Sequence, residues 1–384
     1  RTSSFSLKGE KLEIGEIGRR LNVDHVLEGS VRKSGERVRI TAQLIRADNG
    51  YHLWSDTYDR TVDDIFAVQD EIAGKIMAAL IPQLVGESGE ADTPPASSDY
   101  EPPADAYQDS LLARDRFYSR TRAGLDSAYE LAQELVRKYP DYAEAHALHA
   151  QVTMVNSARV AGEIPWIIAE NQVRRSVQKA SALRPDLPEI YLVEGMLHSL
   201  SRDPETAIEF YERAIELNPS YAEAYRRLSQ AALALGRTSE SWEALETARK
   251  LDPISVPTLQ WVVRQATVHG REQMADDAMQ VLRQLAPMAA DDLEFHLLYD
   301  YGRYAEAGIA LEDFRANWPD EEPHDFQLAA IYAVLGKTDE AMALSPRARA
   351  YTAAELGQRE LALSAMEEVA ATQTDPHDRA DLYW

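Results

Sequence analysis

Cysteine is absent from all 384 residues. That one absence excludes disulfides, thiolate metal ligation and a thiol nucleophile. No apolar run reaches the length of a membrane-crossing helix, so no transmembrane span is expected. Positive charge is scarce: 40 Lys and Arg stand against 64 Asp and Glu, a formal net charge of −24. The deficit is uneven, because residues 1–90 carry 12 basic and 15 acidic residues and the rest carry 28 and 49. A field of that sign repels nucleic-acid phosphates and anionic membrane surfaces, so neither is expected as a partner. GxSxG, P-loop, GxGxxG and HExxH signatures are all missing.

Histidine offers little more. His25 and His52 lie on different predicted strands with no carboxylate at ligand spacing. His146 and His149 stand near Glu144 on a predicted helix but lack a third ligand. No metal, no cofactor and no enzymatic activity are expected of this chain. Its first residues, "RTSSFSLKGEK", contain no apolar h-region and no initiator Met. We expect a piece of a longer protein.

Residues 1–62 read mostly as strands. In "ERVRITAQL", Val38, Ile40, Ala42 and Leu44 alternate with Arg37, Arg39, Thr41 and Gln43, the pattern of a half-buried strand. "HVLEGSVRK" precedes it across Ser34-Gly35, and "YHLWSDTYDR" follows across Asp48-Asn49-Gly50. Both junctions are turn signals, so residues 25–58 predict a three-stranded antiparallel meander. Ile14, Ile17 and Leu21 before it recur at helical spacing, as do Ile65, Val68, Ile72, Ile76 and Leu80 after it. Asp63 and Asp64 suit that second helix's N-terminus. Residues 1–85 are therefore expected to form a small α+β domain. Residues 86–105, rich in Pro and acids, read as a linker.

Residues 106–384 read as helical repeats. Pro185, Pro219, Pro253 and Pro287 fall 34 residues apart, each ending a similar frame. Twelve residues before the last three stand Ala207, Ser241 and Ala275; Val173 breaks the pattern at the first. Pro lacks the N–H, clashes with the preceding turn and pushes its predecessor to extended geometry. The chain must turn back into an antiparallel helix at each one. A single such hairpin cannot bury its apolar face, whereas a stack can. The step from Pro140 to Pro185 is longer, which predicts an insertion near "ARVAGEIPWI". Gly302, Ala307 and Pro319 predict a shortened unit, and two degenerate units follow. Seven or eight hairpins are expected.

Residues 188–219 carry Tyr191, Gly195, Ala207, Tyr211, Ala214 and Pro219. This pattern resembles the tetratricopeptide repeat family, which implies a mainly α, right-handed solenoid. In residues 222–253, Tyr225, Leu228, Ala248 and Pro253 persist, but Ser229 replaces the Gly. The string "LEGSVR…G…VR…AQL…G…LW…YDR" in the first region resembles the TolB amino-terminal and FlgO-like domains. That resemblance covers residues 1 to about 85. It implies a bacterial signalling protein in which such a domain precedes repeats and follows an adenylate cyclase or winged-helix domain. Family members begin with a further strand and helix, so the sheet edge within residues 25–58 is expected to be open to a second copy.

In such repeats the first helix of each hairpin lines the concave face. Positions 5 and 9 of the unit give Leu192 and Met196, Arg226 and Gln230, and Gln260 and Arg264. The last four are expected to cluster and hold an acidic group of a peptide or protein partner. The Lys/Asn clamp of chaperone-binding relatives is absent. The resulting expectation is a non-catalytic interaction and regulatory module, periplasmic on a membrane-anchored protein or else cytoplasmic. A free-standing scaffold in envelope assembly or secretion is the alternative, and the substrate-binding part of an enzyme with an upstream catalytic domain is a third.

Overall fold

A computed structural model describes residues 12–35, 37–61, 68, 71–76, 80, 104–119, 121–159, 166–319 and 324–372. Helix α1 (Ile14–Leu21) precedes strands β1 (His25–Ser34), β2 (Arg37–Arg46) and β3 (His52–Thr61). Sheet order is β1-β2-β3, antiparallel throughout, as the two short turns require. Gly35 and Gly50 adopt the positive φ that the two tight turns demand. Register places Leu27, Gly29 and Val31 beside Leu44, Ala42 and Ile40. Trp54, Asp56 and Tyr58 lie on the other side of that row. Residues 71–76 are helical, and Lys75 reaches this face, 2.7 Å from Asp56 and 4.9 Å from the Tyr58 ring centroid. The predicted N-terminal start at Asp63-Asp64 lies outside the described residues. Helix α1 closes on the sheet's far end. A Cβ on Gly18 would lie 2.3 Å from the Ala47 Cβ, so this contact requires glycine.

Most of the predicted linker, residues 86–103, lies outside the described residues. Its last two residues, Ala104 and Asp105, are helical and begin the array. Eight hairpins follow among the described residues. They are α2 (Ala104–Tyr118) with α3 (Arg122–Lys138), α4 (Ala143–Arg159) with α5 (Trp166–Leu183), and α6 (Pro188–Leu200) with α7 (Pro204–Leu217). Next come α8 (Ala222–Ala234) with α9 (Thr238–Leu251), and α10 (Val256–Val268) with α11 (Glu272–Leu285). The last three are α12 (Pro287–Asp300) with α13 (Tyr304–Asn317), α14 (Asp325–Val334) with α15 (Thr338–Met342), and α16 (Pro346–Glu355) with α17 (Arg359–Thr372).

The pre-proline residues share one geometry. Tyr139, Asn218, Asp252, Ala286 and Trp318 have φ between −148° and −127° and ψ between 62° and 88°. Each is the C-cap of its helix, as the steric argument predicts. Pro287 differs from its counterparts: it is the first residue of α12, and Ala286 caps both helices at once. That fusion helps shorten the unit. The long step from Pro140 to Pro185 is taken up partly by helix length, since α4 and α5 have 17 and 18 residues against 13 and 14 in α6 and α7. Part of the predicted insertion, residues 160–165, lies outside the described residues.

A second regularity marks the turn inside each hairpin. Gly236, Gly270, Gly302, Gly336 and Gly357 all have φ near +70°. Gly236 N–H bonds Leu233 C=O at 2.8 Å, and Arg237 N–H bonds Ala232 C=O at 2.9 Å. This is a Schellman closure, in which a left-handed residue satisfies the last helical carbonyls. Arg202 fills the equivalent place in the 188–219 unit at φ 59°.

The core is segmented along the stack. One apolar cluster joins α2, α3 and α4; another runs from α4 to α8; a third spans α9 to α12; a fourth spans α12 to α14. Within the second, Gly195 admits the Tyr211 ring, where a Cβ would come within 2.5 Å of it. One repeat later Leu245 stands in Tyr211's place and Ser229 in Gly195's. The smaller aliphatic side chain leaves room for a hydroxyl.

Candidate functional site

The inner face is built by the first helix of each hairpin, and these helices contact one another directly: α2 with α4, α4 with α6, α6 with α8, and α8 with α10. The six residues expected to form the site are divided there. Leu192 is 0% exposed and Met196 6%, both inside the second core cluster. The expectation that they face a partner is corrected: they are covered by neighbouring hairpins of their own chain. Arg226 is also buried, at 5% exposure. Its Nε lies 2.9 Å from Glu223 Oε2. Arg227 shares that carboxylate at 3.1 Å and donates to Gln230 Oε1 at 3.5 Å.

Gln260 and Arg264 face forward instead. Gln260 Nε2 donates to the Ala289 carbonyl at 3.3 Å, and Arg264 pairs with Asp300 at 2.7 Å. No hydrogen bond among the described residues joins Gln260 or Arg264 to Arg226 or Gln230. The four residues of the predicted cluster have partners within the chain: Arg226 on Glu223, Gln230 on Arg227, Gln260 on the Ala289 carbonyl and Arg264 on Asp300.

A different group stands out on the first four hairpins. Arg114 of α2 is half-buried, and so is Glu189 in the first turn of α6. Among the described residues, neither side chain makes a hydrogen bond or an ion pair. They are nonetheless within electrostatic reach. Burial works against the charge of Arg114, yet Glu189 and the oxygens of Tyr118, Tyr142 and Tyr221 outweigh it and hold its pKa above the ordinary arginine value. Burial likewise pushes the Tyr221 hydroxyl well above the usual tyrosine range, with Glu189 adding to the effect. Gln151 of α4 donates to Tyr221 Oη at 3.2 Å, which ties the second hairpin to the start of the fourth. Arg227 is pulled below the ordinary arginine value by burial and then by Arg226, with Glu223 opposing.

Sequence reading missed Arg114, Glu189 and Tyr221. Arg114 precedes the regular frame, and Glu189 and Tyr221 do not occupy positions 5 or 9, the two expected to face inward. Gln151 was within reach of that frame, since it is ninth from Ala143, the position held by Met196 and Gln230 in their units.

Histidines play a packing role. His149 is buried, its Nδ1 2.8 Å from Ser176 Oγ and its ring stacked on Tyr129. Burial lowers its pKa to about 4, and His146 adds to this. His146 Nε2 lies 2.9 Å from the Pro140 carbonyl. His25 and His52 sit on β1 and β3, with β2 between them. In the sixth and seventh hairpins, His324 lies 3.4 Å and His296 3.7 Å from the same oxygen of Asp292. Among the described residues, no group of three or more His, Asp or Glu is arranged to hold a metal ion, and no helix is long and apolar enough to cross a membrane.

Residues 200–255 match the tetratricopeptide repeat family model. The stacked hairpins around that segment form a TPR-like solenoid. A protein of Rhizobium meliloti (strain 1021), provisionally named adenylate cyclase 3, is 37% identical over 147 residues, which is 38% of this chain and 24% of that protein. The aligned part thus spans about a quarter of that relative's length. Among solved structures, the type IV pilus biogenesis factor PilW aligns with 58% of this chain and 97% of its own, at 15% identity and TM-score 0.40. Yeast Tom70 aligns with 82% of this chain and 72% of its own, at 12% identity and TM-score 0.46.

Proposed function

We propose that this chain is a non-catalytic interaction and regulatory module of a bacterial signalling protein. A peptide or protein partner lies along the inner face of its repeats, with the principal contacts on the first four hairpins. The observation that carries this reading is the continuous inner face of directly adjoining helices, on which Arg114 and Glu189 remain unpaired among the described residues while charges further along are paired. Gln230, Gln260 and Arg264 line the continuation of that face. The partial likeness to a protein provisionally named adenylate cyclase supports a signalling context; on this reading the module is the sensing part of a membrane-anchored protein, on its periplasmic side. The TolB-like character of residues 1–85 rests on the motif string alone.

Affinity capture from source cells tests this, comparing the wild-type chain with Arg114→Glu/Glu189→Lys on the inner face and with Glu209→Ala/Glu212→Ala on exposed positions of α7. Loss of a captured protein with the inner-face pair alone is expected. Equal capture by all three chains contradicts the reading.

A second copy is favoured at one place by one observation. On β1, Leu27 is 52% exposed and Val31 65%, along a strand edge unpaired among the described residues. Such an edge is a template for strand pairing. Sedimentation of the wild type and Val31→Lys distinguishes the cases: a dimer lost on substitution supports it, and a monomer in both refutes it.

A further inference from the structure

The outer face of the sheet, away from Leu44 and Tyr58, carries an excess of positive charge on a chain whose net charge is −24. Register sets Arg32 of β1 directly beside Arg39 of β2, and Arg39 beside Asp59 of β3. Arg37 stands two residues before Arg39, on the same face, and all four residues are exposed. Arg39 and Asp59 form a two-pronged ion pair, with Nε 2.8 Å from Oδ1 and Nη2 2.9 Å from Oδ2. Among the described residues, neither Arg32 nor Arg37 makes a hydrogen bond or an ion pair. Three cations thus stand beside one carboxylate. Glu28, on the same face, lies four residues along β1 from Arg32, about 13 Å away at strand spacing. Ser30 and Thr41 form the adjoining row of hydroxyls.

Like charges directly opposite across a sheet repel. A charge on an edge strand discourages unwanted pairing, which accounts for Arg32. It does not account for Arg37 and Arg39, because β2 is the central strand, bonded on both sides. An anion from outside the sheet offsets the repulsion among all three.

Spacing selects that anion. Arg37 and Arg39 are roughly 6.7 Å apart along their strand. Alternate residues of an extended peptide share that interval and point to one side. A segment with Asp or Glu at every second position therefore presents carboxylates at the pitch of the arginines. Guanidinium holds carboxylate through two parallel hydrogen bonds, as Arg39 holds Asp59. Nucleic acid and a lipid leaflet are larger polyanions, and residues 91–384, with 49 acidic and 28 basic residues, repel them.

We propose that the outer face of the sheet, through Arg32, Arg37 and Arg39, docks an extended segment of a partner protein in which Asp or Glu alternates with small polar residues. This surface is separate from the inner face of the repeats and does not depend on the reading of that face. It gives the module a second, salt-sensitive protein contact.

The test uses the full chain and a dye-labelled, end-blocked peptide of three Glu-Ser repeats, with three Gln-Ser repeats as the control. Fluorescence anisotropy is expected to show binding of the Glu peptide alone, weakening as salt rises. Arg32→Ser/Arg37→Ser is expected to weaken it roughly five- to thirtyfold, the worth of two exposed ion pairs. Asp59→Ser frees Arg39 and is expected to tighten binding, a gain that no misfolded variant would show. Equal binding of the two peptides, no binding of either, or an Arg32→Ser/Arg37→Ser chain that binds as the wild type does would overturn the proposal. So would sedimentation of the wild type, but not of that variant, with phosphatidylglycerol vesicles when the peptide fails to bind; the face would then belong to a membrane surface.

Discussion

The first four hairpins and the next three use the same architecture but treat their inner-face charges differently. In the later group, Arg264 pairs with Asp300, and Asp292 lies between His296 and His324. In the earlier group, Arg226 and Arg227 share Glu223, while Arg114 and Glu189 make no ion pair among the described residues. The repeat frame dictates where a side chain emerges. The neighbouring hairpin dictates whether that side chain is available. A position-by-position reading of one unit cannot separate the two, because the deciding partner lies in the next unit or the one beyond.

Several substitutions break or sharpen that contrast. The largest effect is expected in the packing beneath the earlier group. Gly195→Val drives a branched side chain into the Tyr211 ring, where even a Cβ would stand at 2.5 Å. A loss of about 3 kcal/mol is expected from such overpacking, measured by denaturant unfolding. Ser229→Ala, at the same place one repeat later, removes a hydroxyl that accepts from Trp261 Nε1 at 2.9 Å, and is expected to cost about 1 kcal/mol.

Acid separates the halves next. His149 is held neutral, its pKa lowered from the ordinary value of 6.5 to about 4. Between those values the unfolded chain binds a proton that the folded chain does not. Stability is therefore fully present above pH 6.5 and falls as pH drops towards 4, by roughly 2–3 kcal/mol if the site stays packed. His149→Gln is expected to flatten that slope in melts taken from pH 7 to pH 4.5. An unchanged slope would remove His149 as its cause.

Smaller effects follow at the turns and the exposed pair. Arg202 holds the left-handed position that glycine fills in later units. Arg202→Gly is expected to raise stability by about 0.5–1 kcal/mol, since a side chain at positive φ is strained. A double-mutant cycle on Arg264 and Asp300 is expected to give a coupling of about 0.5 kcal/mol, the usual worth of an exposed ion pair.

Much of the fold was legible because it is periodic. Pro185, Pro219 and Pro253 announced the helix ends, and the alternation from Arg37 to Leu44 announced the central strand. The left-handed turn was equally periodic, at Gly236, Gly270, Gly302 and Gly336, and was a readable signal of hairpin number. The candidate site was far less legible. Positions 5 and 9 gave Leu192 and Met196, which the stack buries, and Arg226, which Glu223 holds. Arg114, Glu189 and Tyr221 are separated by 75 and 32 residues, and none of them occupies position 5 or 9 of a regular unit.

The central claim is that the inner face of the first four hairpins receives the partner and that of the next three does not. Hydrogen–deuterium exchange on the full chain, with and without the captured partner, tests it most directly. Protection is predicted in residues 111–118, 187–192 and 221–230, with no change in residues 260–264 and 292–300. Protection confined to the later residues would contradict the account.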